Sequence, residues 1–362
     1  MDINKTQYHK LALTAALGLA ITFTFSCGQH SWEYSNSDEE EDYYSSSSIE
    51  TSHISSSSVT EEQKRNIIKL RYKSIQTSFA GGYFITVPTT TPSYTAGQVK
   101  NEVLQAGVDA INLVRYIADI PDDVVLDAEY TDLCQHGVVV LTAVDQLTHY
   151  PSKPVDMEQA FFDKGYQGTS KSNASFFNLP STTVLSLTQY IGDSDPTNID
   201  RLGHRRWVLN PPMKKTGFGV GATNYGLMYS LDKSRGNVDY DYVAWPSPGV
   251  FPTNLFGYNI AWNISVNILK YGSPDINKIK ITLEHTNSSK VWTFSKSTPS
   301  STSAGKAYFN IDKGGYGISN SIIFRPELES SFKYKDGDVF KVTVSGLDKD
   351  LSYTVKMFNM DN

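Results

Sequence analysis

Apolar positions between residues 96 and 120 recur at steps of three and four, the spacing that puts side chains on one face of an α-helix. The pattern begins at Val99 and runs through Val103, Leu104, Val108, Ile111, Val114 and Ile117. Pro121 ends it, and after Leu126-Asp127 a second helical pattern extends to about residue 147. The first half of the chain is therefore predicted to be built around two long helices.

Shorter elements are predicted around these helices. Residues 61–79 form a short lead-in helix, and residues 181–191 and 200–208 form two more helical pieces. Residues 151–180 are rich in Pro, Gly, Ser and Asn, and we expect a long loop there. Residues 218–231 are expected to form a β-hairpin.

The periodicity changes from helical to alternating beyond Pro246-Ser247-Pro248-Gly249. Strands are predicted at five places, namely 262–268, 278–283, 322–324, 339–344 and 353–355. Short strands with turn residues between them and no helices are typical of a β-sandwich.

The domains predicted from these patterns are a lead-in segment (61–95), a mixed helical and β domain (96–245) and a β-sandwich domain (250–362). The expected fold class is therefore α+β.

The N-terminus has the pattern of an export signal. Lys5 and Lys10 precede an apolar run that ends in Ser26-Cys27-Gly28, and a cysteine after a small residue at this point is typical of a bacterial lipoprotein signal. We expect residues 1–27 to be the signal peptide, Cys27 to be lipidated, and the protein to be exported and anchored at the cell surface or on the periplasmic face. Ordinary cleavage of the signal remains the alternative.

Charge separates the segment after Cys27 from the rest of the chain. Residues 28–60 contain seven acidic residues, no Lys or Arg and long runs of serine, so they are predicted to form a disordered tether. The whole chain has a net charge of −6, and the net charge of residues 61–362 is zero. A neutral body does not favour binding to a phosphate backbone, so nucleic acid is not expected as a partner.

Five short motifs occur in a recognisable order. They are Asn112-Leu113-Val114-Arg115, Leu126-Asp127, His149, Gly203-His204-Arg205 and Gly217-Phe218-Gly219-Val220-Gly221. Over residues 95–245 this order resembles the CAP (SCP-like) superfamily, in particular its bacterial extracellular branch. The resemblance implies a three-layer α-β-α domain with two histidines and two acidic residues facing one cleft. Binding of lipids and sterols is one activity known in that family.

The resemblance places the two histidines of the cleft at His149 and His204. Asp193 matches the second acidic residue, with Asp195 as its nearest rival. Asp200 is four residues before His204 and could orient its ring from the same helix face. The segment that should supply the first acid is missing, and Asn173 is the best substitute.

Two neutral imidazoles can hold a divalent metal such as zinc, which makes His149 and His204 candidate metal ligands. Two histidines alone make a weak zinc site, because tight sites use three or four protein ligands. No Gly-x-Ser-x-Gly motif indicates a nucleophilic serine. The other cysteine, Cys134, lies on an apolar helix face and is predicted to be a buried, inert thiol.

Three functions remain open at this point. A non-catalytic module that binds a small apolar ligand or a cell-surface protein is favoured, because Asn173 cannot act as a base. The second is a metal-assisted hydrolase, such as a peptidase, with His149 and His204 on the metal and Asp193 as base. The third is a cell-surface adhesion module that acts through the β-sandwich.

Overall fold

The computed structural model describes residues 59–176 and 183–361; for residues 183–187 it describes the backbone alone. This part of the chain is mixed α/β, with seven α-helices and five β-sheets. The helices are α1 (Glu61–Ser74), α2 (Asn101–Ile117), α3 (Ala128–Val144), α4 (Gln159–Ser170), α5 (Thr183–Gly192), α6 (Gly203–Val208) and α7 (Ile268–Tyr271). None of them is both long and apolar enough to cross a bilayer.

The strands fall into two short pairs and three larger sheets. The first seven are β1 (Phe84–Thr86), β2 (Gln98–Val99), β3 (Val125–Leu126), β4 (Ser172–Phe176), β5 (Lys215–Thr216), β6 (Phe218–Val220) and β7 (Tyr225–Tyr229). The remaining nine are β8 (Tyr242–Trp245), β9 (Gly249–Pro252), β10 (Trp262–Val266), β11 (Lys280–His285), β12 (Lys290–Phe294), β13 (Tyr308–Asp312), β14 (Ser321–Arg325), β15 (Val339–Ser345) and β16 (Leu351–Phe358).

The two long predicted helices are present as α2 and α3. Asp127 begins α3 by accepting hydrogen bonds from the backbone N–H groups of Glu129 and Tyr130. The helix ends at Val144, three residues earlier than predicted, because Asp145 adopts a left-handed conformation with φ of 48°. The lead-in helix, the two helical pieces near residues 183–208 and the hairpin of β6 and β7 are also confirmed.

A three-stranded antiparallel sheet in the order β4-β7-β6 lies at the centre of the first half. Leu227 of β7 packs with Cys134 and Val138 of α3 on one face. The next residue, Met228, belongs to a different apolar cluster, which includes Ile111 of α2. Helices therefore cover both faces of this sheet.

The prediction of a loop over residues 151–180 is wrong. This stretch contains α4 and β4, and α4 packs along α3. The contact runs through Gly165 and Gly168, where an added Cβ would overlap Val140 and the backbone of Leu133 in α3, and Gly137 lies close to the backbone of α4. Backbone approaches backbone here, and the glycines that allow this approach gave the stretch the composition of a loop.

Beyond residue 240 the chain forms a four-stranded sheet (β13-β14-β10-β8) and a five-stranded sheet (β12-β11-β15-β16-β9). Neighbouring strands are antiparallel except β16 and β9. Trp262 and Phe324 of the first sheet contact Phe340 and Phe294 of the second, with ring centroids 5.6 Å and 5.2 Å apart. All five predicted strands lie within or overlap observed ones.

The two halves share one apolar core. The largest cluster contains Ile111 of α2, Val208 of α6, Trp245 of β8 and Trp262 of β10. β8, which precedes the predicted boundary, pairs with β10 and so belongs to the four-stranded sheet. The boundary expected near residue 246 therefore falls between β8 and β9, inside this region.

Candidate functional site

His149 lies five residues beyond the end of α3, and the C-terminus of α4 holds its ring in place. Its Nδ1 is 2.9 Å from the carbonyl oxygen of Thr169, and the Thr169 hydroxyl donates to the carbonyl oxygen of His149 at 3.1 Å. A carbonyl oxygen can only accept, so Nδ1 carries the proton. The lone pair of the neutral ring is therefore on Nε2.

His204 lies in α6 and is held by Asp193. Its Nδ1 is 2.8 Å from Oδ1 of Asp193, and the backbone N–H of Arg205 donates to Oδ2 at 3.2 Å. The Asp193 side chain is only 1% exposed, whereas that of His204 is 22% exposed. The carboxylate thus lies behind the ring, and the imidazole is the part of this pair that solvent reaches.

Asp193 follows α5 and has a φ of 36°, in the left-handed region that non-glycine residues rarely adopt. Arg205 keeps this turn in place. Its guanidinium donates to the carbonyl oxygens of Ile191 and Gly192 at 2.7 Å and 2.8 Å. It also donates to the carbonyl oxygen of Ala261 at 2.7 Å and to Oδ1 of Asn263 at 2.9 Å. The four-stranded sheet is thereby connected to the turn that carries Asp193.

β4 connects the surroundings of the two histidines. It begins two residues after α4 ends, and the side-chain amide of its Asn173 donates to the carbonyl oxygen of His204 at 3.0 Å. The hydroxyl of Tyr190 donates to the carbonyl oxygen of Asn173 at 2.9 Å, and the Tyr190 ring stacks on His204 with centroids 5.5 Å apart. The ring of His204 is therefore fixed in plane as well as in direction.

The two imidazoles are electrostatically coupled and shifted in opposite directions. Burial lowers the pKa of His149, the Thr169 carbonyl partly offsets this, and the charge of His204 lowers it further. Burial also tends to lower the pKa of His204, but the carboxylate of Asp193 outweighs it, so this pKa lies above its ordinary value. The pKa of His149 therefore lies below the ordinary value of an imidazole, and that of His204 lies above it.

Both histidines engage the protein through Nδ1, and Nε2 is the atom that each has to offer. A ligand histidine whose Nδ1–H is held by a carbonyl or a carboxylate is the usual arrangement around zinc. Within the described residues, however, no three His, Cys, Asp or Glu side chains come together in an arrangement that could hold a metal ion. Any metal here would rest on two protein ligands and would bind weakly.

The acidic candidates separate clearly. Asp193 contacts His204, as the resemblance implies. Asp195 instead accepts hydrogen bonds from Thr197 and Asn198 and closes the turn after α5. Asp200 is exposed and forms its ion pair with Arg201. The prediction that Asp200 could orient the His204 ring is wrong, since α6 begins only at Gly203 and Asp193 performs that role.

Asp193 is poorly placed to be a base. One of its oxygens accepts from the His204 ring, the other accepts from the backbone of Arg205, and the side chain is almost fully buried. A carboxylate that takes a proton from water needs access to that water. Asp193 is therefore an orienting group for His204.

Sequence reasoning missed Thr169 and Tyr190 as parts of this site. Thr169 lay in the stretch predicted to be a loop, and Tyr190 looked like any apolar helix residue. A Thr near a helix end and a Tyr two residues before a glycine carry no pattern of their own. Only the tertiary contacts identify them.

The thiol of Cys134 is buried, as predicted, and contacts the Ser172 hydroxyl at 3.2 Å. Burial raises its pKa to about 12, although the Ser172 hydroxyl partly opposes the shift. The thiol is therefore protonated and unreactive at neutral pH. Cys27, the predicted lipidation site, lies outside the described residues, as do residues 1–58 as a whole.

A comparison of the chain with protein-family models and with curated proteins finds no match. The resemblance drawn from the five motifs therefore stays an expectation that rests on the sequence alone.

Proposed function

We propose that this protein is an exported lipoprotein whose region 96–245 is a CAP-like domain that binds a small apolar ligand or a cell-surface partner without catalysis. Cys27 would carry the lipid, residues 28–60 would be the tether, and residues 250–362 would form a β-sandwich. Two histidines and one acidic residue occupy the positions that the motif order implies. A sheet covered by helices on both faces is compatible with the three-layer α-β-α arrangement of that family.

The proposal depends on one observation: each of the two imidazole rings is held in one orientation by a hydrogen bond at its Nδ1 atom. Thr169 holds Nδ1 of His149, and Asp193 holds Nδ1 of His204. Burying a carboxylate costs free energy unless it is paired, and here both oxygens of Asp193 accept hydrogen bonds, one of them from the His204 ring. A ring that is fixed in one orientation can form a directional hydrogen bond through Nε2 to the polar end of a ligand.

Aromatic side chains beside His149 support an apolar ligand. The rings of His149 and Tyr150 are 6.4 Å apart, those of Tyr150 and Tyr166 are 6.2 Å apart, and Tyr166 is 5.8 Å from Phe162. Tyr150 and Tyr166 are 49% and 37% exposed. A ligand with a polar end at the histidines and an apolar body along these rings fits this row.

Binding of a fluorescent sterol to the full chain tests this proposal. We expect saturable binding that falls at least about tenfold in His149→Ala and in His204→Ala, since losing one directional hydrogen bond to a ligand costs about 1.5 kcal/mol. His136→Gln is the matched control, because that ring bonds a helix carbonyl elsewhere on α3. Binding that survives both alanine substitutions would refute the histidine site and favour adhesion through the C-terminal sheets.

The alternative of a metal-assisted peptidase is favoured by one observation, the orientation of both Nε2 atoms away from their protein partners. In that function His149 and His204 would hold zinc, the metal would activate water, and Asp193 would orient His204. Titration of zinc into the metal-free protein, followed by a peptide-hydrolysis assay with and without chelator, distinguishes the two functions. Zinc-dependent cleavage that is lost in His204→Ala would favour the peptidase.

Lipid anchoring has its own test. Cells that express the full chain are fed an alkyne-labelled fatty acid, and the label is expected on the wild-type protein and absent from Cys27→Ala. Labelling of the Cys27→Ala variant, or none on either protein, would refute the anchor and leave the binding proposal intact.

A further inference from the structure

We propose that Ser288, on the turn between β11 and β12, is an activated nucleophile that accepts acyl groups from activated esters through a Ser288–His285–Asp338 relay. This site lies in the C-terminal half of the chain and does not depend on the function proposed for His149 and His204. It rests on two contacts that join three side chains, on the direction of the proton in each contact, and on the rigidity of the turn.

The three side chains are connected in series. Ser288 Oγ is 2.9 Å from Nδ1 of His285, and Nε2 of the same ring is 3.2 Å from Oδ1 of Asp338. The side chains of His285 and Asp338 are 13% and 12% exposed, while Ser288 is exposed to solvent. The hydroxyl is thus the accessible end of the series, and the carboxylate is the sheltered end.

The proton directions suit a general base. The Asp338 carboxylate can only accept, so Nε2 of the neutral ring carries the proton and Nδ1 carries the lone pair. Ser288 must then donate its hydroxyl hydrogen to Nδ1. A serine hydroxyl that donates to an imidazole oriented by a buried carboxylate is the arrangement that defines a serine nucleophile, whatever the order in the chain.

The relay is held rigidly. The His285 ring stacks on buried Phe340, with centroids 4.6 Å apart and planes 13° apart. Oδ2 of Asp338 accepts from the backbone N–H of Lys335 at 2.8 Å. The turn itself is fixed to the loop before β15, because Asn287 accepts from the backbone N–H of Val339 at 2.7 Å and donates to the carbonyl oxygen of Gly337 at 3.1 Å.

The proposed step is a single acyl transfer. The Ser288 O–H bond breaks as its proton passes to Nδ1 of His285, and Oγ forms a bond to the acyl carbon of the ester. The bond from that carbon to the leaving oxygen then breaks, and the leaving alkoxide takes the proton back from Nδ1. The products are an acyl-serine and the free alcohol, so atoms and charge balance.

Acetylation of the full chain by p-nitrophenyl acetate, with peptide mapping by mass spectrometry, tests the proposal. Ser297 is a matched internal control, since it is exposed beyond the other end of β12 and its hydroxyl contacts only that of Ser295, at 2.9 Å, among the bonds described. We expect Ser288 to be acetylated about 100-fold faster than Ser297, the acceleration that a positioned base supplies. Equal rates at the two serines would overturn the proposal, and that comparison needs no variant.

Two variants separate activation from simple exposure. His285→Gln removes the base, and Asp338→Asn keeps the shape of the relay while removing its charge. Both are expected to slow acetylation of Ser288 by at least tenfold and to leave Ser297 unchanged. If Ser288 reacts as fast in these variants as in the wild type, its hydroxyl only closes the hairpin turn and the proposal fails.

Discussion

Four arginine side chains are buried in the described part of the chain, and each donates to backbone carbonyl oxygens. They are Arg115, Arg205, Arg206 and Arg325. Arg325 donates to four carbonyl oxygens on two segments, and Arg206 adds an ion pair with Asp312. The planar guanidinium offers five N–H donors in a fixed fork, whereas an ammonium group offers only three. These side chains connect loops that have no regular hydrogen bonding of their own.

Substitution Arg205→Lys is expected to lower the free energy of unfolding by about 3 kcal/mol, because it leaves several buried acceptors without a donor. Burial lowers the pKa of Arg205 to about 10, so the native side chain is still charged at neutral pH. Denaturant unfolding measures the change. Arg201→Lys is the control, since its exposed pair with Asp200 is worth less than about 1 kcal/mol. Similar losses in both variants would contradict this role of Arg205.

The two site histidines are expected to titrate on opposite sides of the ordinary value of 6.5. His149 should lie below it, because its ring is buried. His204 should lie above it, because the Asp193 carboxylate outweighs burial. Asp193→Asn should lower the pKa of His204. Because the two rings are coupled, the pKa of His149 should shift as well, by a smaller amount. NMR titration of the imidazole resonances measures both, and a His204 pKa unchanged in Asp193→Asn would refute the pairing.

Because the pKa values of His149 and His204 are shifted in opposite directions, the contribution of these two residues to the free energy of unfolding should be greatest near pH 6.5. The unfolded chain binds a proton at His149 more readily than the native protein does, so stability falls as the pH drops below that value. The native protein holds the proton on His204 more firmly, so stability also falls as the pH rises through the raised pKa. His149→Asn should flatten the acidic side, and Asp193→Asn the alkaline side. Denaturation midpoints measured across pH check each side separately.

Helix contacts in the first half depend on glycine as much as on apolar side chains. α4 lies against α3 where Gly168 faces the carbonyl oxygen of Leu133, and Gly217 and Gly219 similarly bring β-structure against α3. Close approach of this kind fixes the position of Thr169 and thereby of His149. Glycine residues therefore fix the position of α4, the helix whose Thr169 holds the His149 ring.

Gly168→Ala should destabilise the protein by about 3 kcal/mol, because the new methyl group overlaps a backbone carbonyl that cannot move aside. Gly315→Ala is the matched control, with no atom within 4 Å of the added Cβ. Thermal unfolding of both variants measures the difference. A loss of less than about 0.5 kcal/mol in Gly168→Ala would mean that the two helices can separate at little cost.

At the scale of the whole molecule, a single apolar core joins the helices of the first half to the two sheets of the second. Trp245, in the strand that precedes the predicted boundary, is fully buried and packs on Phe251 with ring centroids 4.7 Å apart. The hydroxyl of Ser247 donates to the carbonyl oxygen of Ile117 at the end of α2. The two halves therefore stabilise each other.

We expect the chain to unfold in one cooperative transition, since the largest apolar cluster contains residues of both halves. Calorimetry should show one peak whose calorimetric and van't Hoff enthalpies agree. A fragment of residues 59–248, cut after β8, should lack a cooperative transition because its share of the core is exposed. Two well-separated peaks for the full chain would show that the halves are independent domains.

The amino-acid sequence determined much of this protein by local pattern alone. Helical periodicity located α2 and α3, alternation located the strands beyond residue 260, and the glycine-rich stretch located β6. The resemblance assigned Asp193 and His204, 11 residues apart, to one site, and the structure shows that the two side chains are in contact. Such patterns survive in sequence because each element must bury its own apolar face.

Only the tertiary structure decided what depends on distant partners. α4 packs against α3 through glycine, and glycine in a sequence is also typical of loops, so only the structure shows that this stretch is a helix. Asp193, Asp195 and Asp200 are chemically equivalent in sequence, and the left-handed turn at Asp193 alone directs one carboxylate at His204. Ser288 is one serine among many until Asp338, 50 residues away, fixes the ring beside it. Function at these positions comes from contacts between segments, and no local pattern encodes such contacts.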